Sequence, residues 1–422
     1  MKFLLTHLAR SKFEIFFKFS KKTKYFVIQK NRLFKLIMKI LFIKEKRSKS
    51  GFEGVSNHLI YCCKELNKRK IDYLVLYNAK DKMYNYMLKH NIKITYLPFP
   101  AKSPKYILHK KFEIFKFRKL IKKIIDKNNI THIHVQNAYI LDFLEKKWDI
   151  KITAHHFNAF IKNEPIKYFY LNLLLNPRLL LRRFYEKLIV FNYKKADKVI
   201  AVSKAAKKTL IEKYVAQREK IKIIYNGVSD IRKNKNLNLR NKFGIKKSDK
   251  VILSVGRISK AKGVEDFCEI AKKFKDKSNV KFIFVGPYLD RNYYKHIKNK
   301  YKNLVIFPGE SFDVSSFYKI SDIFLFLSHR DSFGLVLVEA MYYKLPAIVW
   351  GVTGLSEVVT NNYNGYCCPF GKLNIVEKKL NYLLSNRIEY QRISANAYNK
   401  KNMYTISQHI DKFLKLVLSL RK

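Results

Sequence analysis

The residues best suited to chemistry lie in segment 328–371, which holds two basic residues against three acidic ones in a chain that is basic almost everywhere else. Within it, Asp331 ends a predicted strand, and a helix follows that begins near Gly334. The N-terminus of such a helix presents unpaired N–H groups and the positive end of its dipole, so it can hold an anion. Glu339 lies further along the helix, where its carboxylate can accept hydrogen bonds from sugar hydroxyls. The alternative is an amphipathic helix with a surface glutamate.

A second pair of charged residues follows another predicted strand. Arg257 comes directly after Val255-Gly256, and Lys262 follows five positions later, just before Gly263. Fixed cations at the end of a strand can stabilise the negative charge of an anionic ligand. In so basic a chain an isolated Arg and Lys carry no information. The strand-then-glycine context is what makes this pair a candidate.

These segments resemble the retaining GT-B glycosyltransferases of family 4, the glycosyl transferases group 1. The family pattern E-x-F-G-x-x-x-x-E-A-M-A-x-G-x-P is similar to residues 331–346, with Asp331 in place of the first Glu. The resemblance implies that Glu339 grips the ribose of a nucleotide sugar and that Asp331, as a catalytic residue, lies at the transferred sugar. It also implies that the donor's phosphate and sugar meet the chain around Phe333, Gly334, Leu335 and Val336. Because Asp is one methylene shorter than Glu, the identity of the sugar stays open.

Three more stretches extend the resemblance. Arg257 and Lys262 match the cations of a G-R-l-x-x-x-K-G pattern that clamp the diphosphate. Ser50-Gly51-Phe-Glu53 resembles a G-G-x-E loop, which implies that Gly51 lets the backbone approach a phosphate. Thr153-Ala-His155 resembles T-x-H, in which the His reaches the transferred sugar and acts with Asp331. For His155 the alternative is a buried histidine that only satisfies a neighbour.

Short apolar runs alternate with helical segments, and this predicts parallel βα units. The fold class is α/β, implied to be GT-B, with two doubly wound Rossmann-like domains that face a central cleft. We expect a basic N-terminal extension over 1–37, an acceptor-side domain over 38–230, a nucleotide-sugar-binding domain over 231–404 and a helix over 405–422 that returns to the first domain. The predicted strands are Met38–Ile43, Tyr73–Leu76, Ile92–Tyr96, Ile130–Val135, Ile150–His155, Lys198–Val202, Ile221–Tyr225, Val251–Val255, Val280–Val285, Leu304–Phe307, Ile323–Leu327 and Ala347–Val349.

Metal and cofactor chemistry find little support in the sequence. No Asp-x-Asp pair is present to hold Mg²⁺ or Mn²⁺ under a nucleotide sugar, and Arg257, Lys262 and the helix start can neutralise charge instead. We therefore predict a metal-independent enzyme without a cofactor. His132 and His134 alternate on one strand face, as metal ligands can, but no third ligand is in view.

The chain of 422 residues carries a net charge of +55, and 17 of its 87 basic residues are Arg. Bidentate hydrogen bonding to phosphate favours Arg over Lys. The excess of Lys therefore indicates a compositional bias and no nucleic-acid partner. Diffuse positive charge also suits an anionic membrane surface, for example on the helix predicted over Lys110–Asp126 and the run Lys167–Lys195. The five cysteines form no disulfide pattern, which indicates a reducing compartment and predicts a cytoplasmic protein. The positive charge adds the expectation that this protein associates peripherally with the cytoplasmic face of the membrane.

The resulting expectation is a retaining glycosyltransferase that moves a sugar from a nucleoside-diphosphate sugar to a glycan or lipid-linked acceptor. Its setting would be the synthesis of cell-surface polysaccharide, such as capsule or lipopolysaccharide. Two alternatives remain. An inactive family member would bind the donor without turnover, and the departure at Asp331 keeps that reading open. A basic nucleic-acid-binding protein would show salt-dependent binding and no turnover.

Overall fold

The structure is a computed structural model that describes residues 15–18, 25–28, 38–46, 54–99, 110–136, 138–157, 193–214, 217–232, 238–288, 290–311 and 313–420. Its strands are β1 (Ile15–Lys18), β2 (Tyr25–Ile28), β3 (Lys39–Lys44), β4 (Asp72–Tyr77), β5 (Ile94–Tyr96), β6 (His132–Val135), β7 (Lys151–His156), β8 (Lys198–Ala201), β9 (Ile221–Ile223), β10 (Lys250–Val255), β11 (Val280–Val285), β12 (Val305–Gly309), β13 (Ile323–Phe326), β14 (Ala347–Trp350) and β15 (Gly365–Cys368).

The helices of the described residues lie between these strands and after the last of them. They are α1 (Gly54–Lys68), α2 (Lys82–Lys89), α3 (Lys110–Asn128), α4 (Lys204–Tyr214), α5 (Leu239–Lys242), α6 (Val264–Lys273), α7 (Arg291–Lys300), α8 (Ser315–Lys319), α9 (Leu335–Tyr342), α10 (Leu355–Val358), α11 (Leu373–Ser385), α12 (Arg387–Lys400) and α13 (Ile406–Ser419). Ser203 caps α4, because its Oγ accepts the N–H of Ala206 at 2.9 Å.

Two parallel sheets organise the chain, which confirms the predicted fold class. The first has the strand order β5-β4-β3-β6-β7-β8-β9 and the second the order β12-β11-β10-β13-β14-β15. Every pairing in both sheets is parallel. In each sheet the order reverses direction beside the first strand, between β3 and β6 and between β10 and β13. Ligands of such sheets bind at the carboxyl ends of the strands at this point.

The predicted strands are present, with ends that differ by up to two residues. Sequence reasoning missed β15, because Gly365-Tyr-Cys-Cys368 begins with a glycine and offers only four residues. It also missed the antiparallel pair β1 and β2 within the basic N-terminal extension. Between β9 and β10 no strand lies in the described residues, and the predicted domain boundary at 230/231 falls in this interval.

The last helix, α13, packs against α1 beside the first sheet. Arg69 joins the two, with its guanidinium 2.5 Å from the carboxylate of Asp411 and 2.7 Å from the hydroxyl of Ser407. Ile410, Phe413 and Val417 extend the apolar core that covers β3 and β4. The C-terminal helix therefore lies beside the first sheet, although it follows the second sheet in the chain.

Among the helices of the described residues, none is both long enough and apolar enough to cross a membrane.

Candidate active site

The candidate site of the second sheet forms where its strand order reverses. The loop after β10 carries Arg257 and Lys262, and the loop after β13 carries Asp331. The two loops are joined directly: the backbone N–H of His329 donates to the carbonyl of Ala261 at 3.1 Å. Two segments far apart in sequence thus meet at one sheet edge.

Gly263 allows this close approach. It has a φ of +63°, and a Cβ at this position would lie 1.7 Å from the carbonyl oxygen of Leu327 at the end of β13. Only glycine fits both the left-handed backbone and the contact. The glycine that follows Lys262 is therefore required to bring the Lys262 loop against the strand that leads to Asp331.

Lys262 and Asp331 form an ion pair within the site. The Nζ of Lys262 lies 2.6 Å from Oδ2 of Asp331, and both side chains are about four-fifths buried. The Oδ1 atom of Asp331 accepts the backbone N–H of Gly334 at 2.8 Å and that of Phe333 at 3.2 Å. Burial alone would raise the pKa of Asp331, but Lys262 and these two N–H groups hold it below its usual value. Asp331 is thus ionised at neutral pH and occupies the anion position at the start of α9.

Gly334 directly precedes α9 and has a φ of +81°. Leu335 and Val336, which open the helix, are partly exposed, while the side chain of Phe333 is buried. Phe333 packs against Tyr225 and Tyr404, with ring centroids 6.0 Å and 5.4 Å away. Its side chain fills the space between the elements, so any donor contact at this position would come from its backbone.

Glu339 is buried on α9, and its carboxylate is held by two tyrosines. Tyr318 donates to Oε2 at 3.0 Å, and Tyr61 of α1 donates to Oε1 at 3.1 Å. Burial raises the pKa of Glu339, and the two hydroxyl donors oppose that shift. The surface-glutamate alternative is therefore wrong: Glu339 points inward, toward an element of the first sheet.

The N-terminus of α1, which lies beside the first sheet, faces the start of α9. A Cβ placed on Gly54 would lie 3.6 Å from Cδ1 of Leu335. A hydrogen bond also links the loop after β13 to the end of β7: the hydroxyl of Ser332 donates to the carbonyl of Phe157 at 2.5 Å. Gly51, predicted to approach a phosphate, lies outside the described residues, three positions before this helix.

His155 is the penultimate residue of β7, two residues before Phe157, and is buried. Its Nδ1 lies 3.2 Å from Nε2 of His134, whose Nδ1 lies 2.7 Å from the hydroxyl of Thr153. Burial, reinforced by the imidazoles of His134 and His58, holds the pKa of His155 well below its usual value, so the ring is neutral at neutral pH. Its Nε2 has no hydrogen-bond partner in the described part of the chain.

His132 and His134, which alternate on one strand face, both contact the hydroxyl of Thr153. Nε2 of His132 lies 2.9 Å from the Thr153 hydroxyl that also contacts His134. A single hydroxyl can donate to one ring and accept from the other, which accounts for both contacts.

Sequence reasoning missed the tyrosines that hold Glu339 and the residue that supports the Asp331 loop. Asp266 accepts from the indole N–H of Trp350 and pairs with His329, both at 2.9 Å through Oδ2. Sequence reasoning also missed a bridge between the elements of the two sheets, in which Glu357 accepts the N–H groups of Lys204 and Ala205 at the start of α4. For the contact between Tyr61 and Glu339, the available sequence signal was the position of Tyr61 on α1, two helical turns after Gly54.

Two family models match the chain over adjacent ranges. The model described as Glycosyltransferase Family 4 matches residues 52–232, and the model described as Glycosyl transferases group 1 matches residues 235–400. The chain belongs to the family 4 type of GT-B glycosyltransferases. The join between the models falls in the interval between β9 and β10.

Curated relatives of this glycosyltransferase cover parts of it. It is 30% identical over 217 residues to N-acetyl-alpha-D-glucosaminyl L-malate synthase of Bacillus anthracis, covering 50% of this chain and 56% of that protein. It is 29% identical over 213 residues to the capsular polysaccharide biosynthesis glycosyltransferase CapM of Staphylococcus aureus, covering 48% of this chain and 56% of that one. The chain thus spans about half the length of the curated relatives it matches.

Similarity to solved structures extends over nearly all of the chain. The Anabaena protein HepE, solved in complex with UDP and glucose, has a TM-score of 0.72 at 20% identity over 90% of this chain and 100% of HepE. At that level of identity the likeness establishes the GT-B fold of this family member and leaves its substrates to be proposed.

Proposed function

We propose that this family member transfers a sugar from a nucleoside-diphosphate sugar to a glycan or lipid-linked acceptor with retention of the anomeric configuration. The observation that supports it best is the contact of Lys262 and Asp331 at the start of α9, with Glu339 further along the same helix and Tyr61 reaching it from the first sheet. A cation from the loop after β10 thus lies beside the start of α9, and the hydroxyl acceptor lies further along that helix. A diphosphate, a sugar and a ribose need these three kinds of group.

The ion pair suggests how the donor enters. A diphosphate brings two negative charges to a place where Asp331 already holds Lys262 and two backbone N–H groups. In our proposal the diphosphate takes over Lys262 and joins Arg257, and the released carboxylate of Asp331 turns to the hydroxyls of the transferred sugar. The ribose hydroxyls replace Tyr61 at Glu339.

Transfer then depends on stabilising the leaving group. As the bond to the sugar breaks, charge grows on the bridging oxygen of the diphosphate, where Lys262 and Arg257 would meet it. The neutral ring of His155 presents an Nε2 that can hydrogen-bond a sugar hydroxyl, and His134 fixes the ring from behind. In this proposal the rearrangement occurs when the donor displaces Asp331 from Lys262, so little further reorganisation is needed during the reaction.

The names of relatives support the setting of this proposal. The S. aureus relative is described as a capsular polysaccharide enzyme, and a solved neighbour of similar fold is WaaG, involved in lipopolysaccharide biosynthesis. HepE was solved with UDP and glucose. We propose synthesis of cell-surface polysaccharide as the setting, with UDP-sugars as the first donors to test.

A thermal-shift screen against a panel of nucleoside-diphosphate sugars tests the proposal, because a ligand that binds only the native state raises the unfolding temperature. The donor that shifts it is then incubated with acceptor glycans, and release of nucleoside diphosphate is measured. Binding with release supports transfer, whereas binding without release supports the inactive alternative. No shift with any donor contradicts the proposal. The anomeric configuration of the product, read by NMR, tests retention.

We also propose that the enzyme rests on an anionic membrane surface. The buried stripe of α3 contains Phe117, Ile121 and Ile125, but Phe115 is 68% exposed beside the exposed Lys116. An aromatic ring among lysines suits the headgroup region, where each Lys contributes about 1 kcal/mol near an anionic surface.

Cosedimentation with vesicles tests the membrane proposal. Phe115→Ser should weaken binding to anionic vesicles, whereas Ile388→Ser, at a side chain 81% exposed on α12, should leave it unchanged. Equal binding of the unaltered protein to neutral and anionic vesicles would count against it.

A further inference from the structure

A cluster of potential metal ligands lies between the first and last helices of the described residues. His58 and Cys62 of α1 and His409 of α13 each offer one ligand atom, and these atoms all lie within 4.8 Å of one another. All three side chains are buried, with His58 only 1% exposed. None of them belongs to the nucleotide-sugar site proposed above.

The spacing within α1 places two of the ligands on one face. His58 and Cys62 are four residues apart on a helix, so their side chains lie one above the other. The Cys62 Sγ lies 3.8 Å from Nε2 of His58 and 3.9 Å from Nδ1. In a tetrahedral zinc site with bonds of about 2.0–2.3 Å, neighbouring ligand atoms are about 3.5 Å apart. A movement of a few tenths of an ångström would therefore suffice for this pair.

The third ligand is oriented by a backbone carbonyl. Nδ1 of His409 lies 2.8 Å from the carbonyl oxygen of Tyr225, so it carries the proton and donates it. The lone pair of the neutral ring is then on Nε2. Metal-binding histidines commonly use one nitrogen as ligand and donate from the other to a carbonyl, which fixes the ring. The ring of His409 stands perpendicular to that of His58, with centroids 4.5 Å apart.

The buried ring of His58 has a weak hydrogen-bond partner. In the described part of the chain, the hydrogen-bond partner of the His58 ring is the thiol of Cys62, which lies within 3.9 Å of both ring nitrogens. A thiol is a weak partner for a buried imidazole. Buried polar groups in native proteins normally have a strong partner. A bound cation would provide one.

We propose that His58, Cys62 and His409 bind one Zn²⁺ ion, with a water molecule as the fourth ligand. Two imidazoles and a thiolate form a donor set that suits zinc better than Mg²⁺ or Ca²⁺. On binding, the Cys62 thiol releases its proton to solvent and the sulfur becomes a thiolate ligand. The ion ties the C-terminal helix to the first sheet and takes no part in the sugar transfer proposed above. This inference does not depend on the proposed function.

Cobalt substitution tests the site in the full chain, freed of any affinity tag and treated with a chelator. Co²⁺ bound to a thiolate gives a charge-transfer band in the near ultraviolet, together with the visible bands of tetrahedral coordination. We expect one Co²⁺ per chain, displaced by Zn²⁺, and a higher unfolding temperature with Zn²⁺ than with Mg²⁺.

Two variants assign the ligands. Cys62→Ser should abolish the charge-transfer band, and His409→Gln should weaken Zn²⁺ binding by at least about 10–100-fold, the loss typical for perturbing a metal site. Cys63→Ser, at the adjacent buried cysteine, is the matched control and should keep both. Circular dichroism verifies that each variant folds. Absence of the band in the unaltered protein overturns the proposal without any variant, and so does a band that persists in folded Cys62→Ser.

Discussion

Replacing Glu339 with Gln separates ribose binding from folding. The carboxylate is buried and its pKa is raised by that burial, so holding it ionised at neutral pH costs stability. Gln has the same shape, keeps one oxygen to accept from a tyrosine, and can donate to the hydroxyl of the other through its amide. The unfolding temperature of Glu339→Gln should therefore equal or exceed that of the unaltered protein at neutral pH.

Donor affinity should change in the opposite direction. If the ribose hydroxyls donate to Glu339, the variant loses one charged acceptor, and a hydrogen bond to a charged group contributes about 1.5–3 kcal/mol. At 1.4 kcal/mol per tenfold, this weakens binding of the nucleoside diphosphate by about 10- to 140-fold. Isothermal titration of both proteins with the nucleoside diphosphate of the donor identified by thermal shift measures the change.

Glu357→Gln is the matched control. Glu357 also lies between the sheets, but it accepts N–H groups at the start of α4, where a negative charge stabilises the helix. Its replacement should lower the unfolding temperature and leave nucleotide affinity unchanged. An affinity of Glu339→Gln within about twofold of the unaltered protein, a difference of less than 0.5 kcal/mol, would refute the assignment of Glu339 to the ribose.

Three further predictions concern the loops around the ion pair. Lys262→Met should lower kcat by at least about tenfold, since fixed charges at a leaving group are typically worth more than that; a rate equal to that of the unaltered enzyme contradicts the role. Asp331→Asn should cost stability above about pH 4, because the lowered pKa of Asp331 stabilises the fold only while the carboxylate is ionised. This loss of stability, measured by denaturant unfolding, should vanish as the pH falls through the pKa of Asp331. A loss that stays constant with pH would contradict this explanation. Gly263→Ala should destabilise the protein by clearly more than Gly244→Ala, because both residues have a φ of +63° but only Gly263 faces a backbone carbonyl; equal losses in thermal unfolding would show that the contact is unimportant.

The fold was predictable because its signal is local. Each buried strand of a parallel sheet is a short apolar run, as in Val280–Val285, whose predicted ends match the structure. Where the run is weak, as in β15 with its leading glycine, the prediction failed. The ends of β9 and β12 were displaced because side chains alone do not decide where pairing stops.

The candidate site was predictable only in part. Asp331, Gly334 and Glu339 could be read from one segment, because strand, turn and helix place them in order. Their partners could not be read, since the tyrosine that reaches Glu339 from α1 is 278 residues away in sequence. The pairing of Lys262 with Asp331 depends on a glycine that lets two loops touch, and only the folded chain shows that contact.

The most direct measurement of the central claim compares a nucleoside diphosphate with its monophosphate in titrations of the unaltered protein and Lys262→Met. If Lys262 holds the diphosphate at the start of α9, the unaltered protein should bind the diphosphate more tightly, and the variant should lose most of that preference. Equal affinity for both nucleotides in the unaltered protein, or a preference that survives the substitution, would contradict the account.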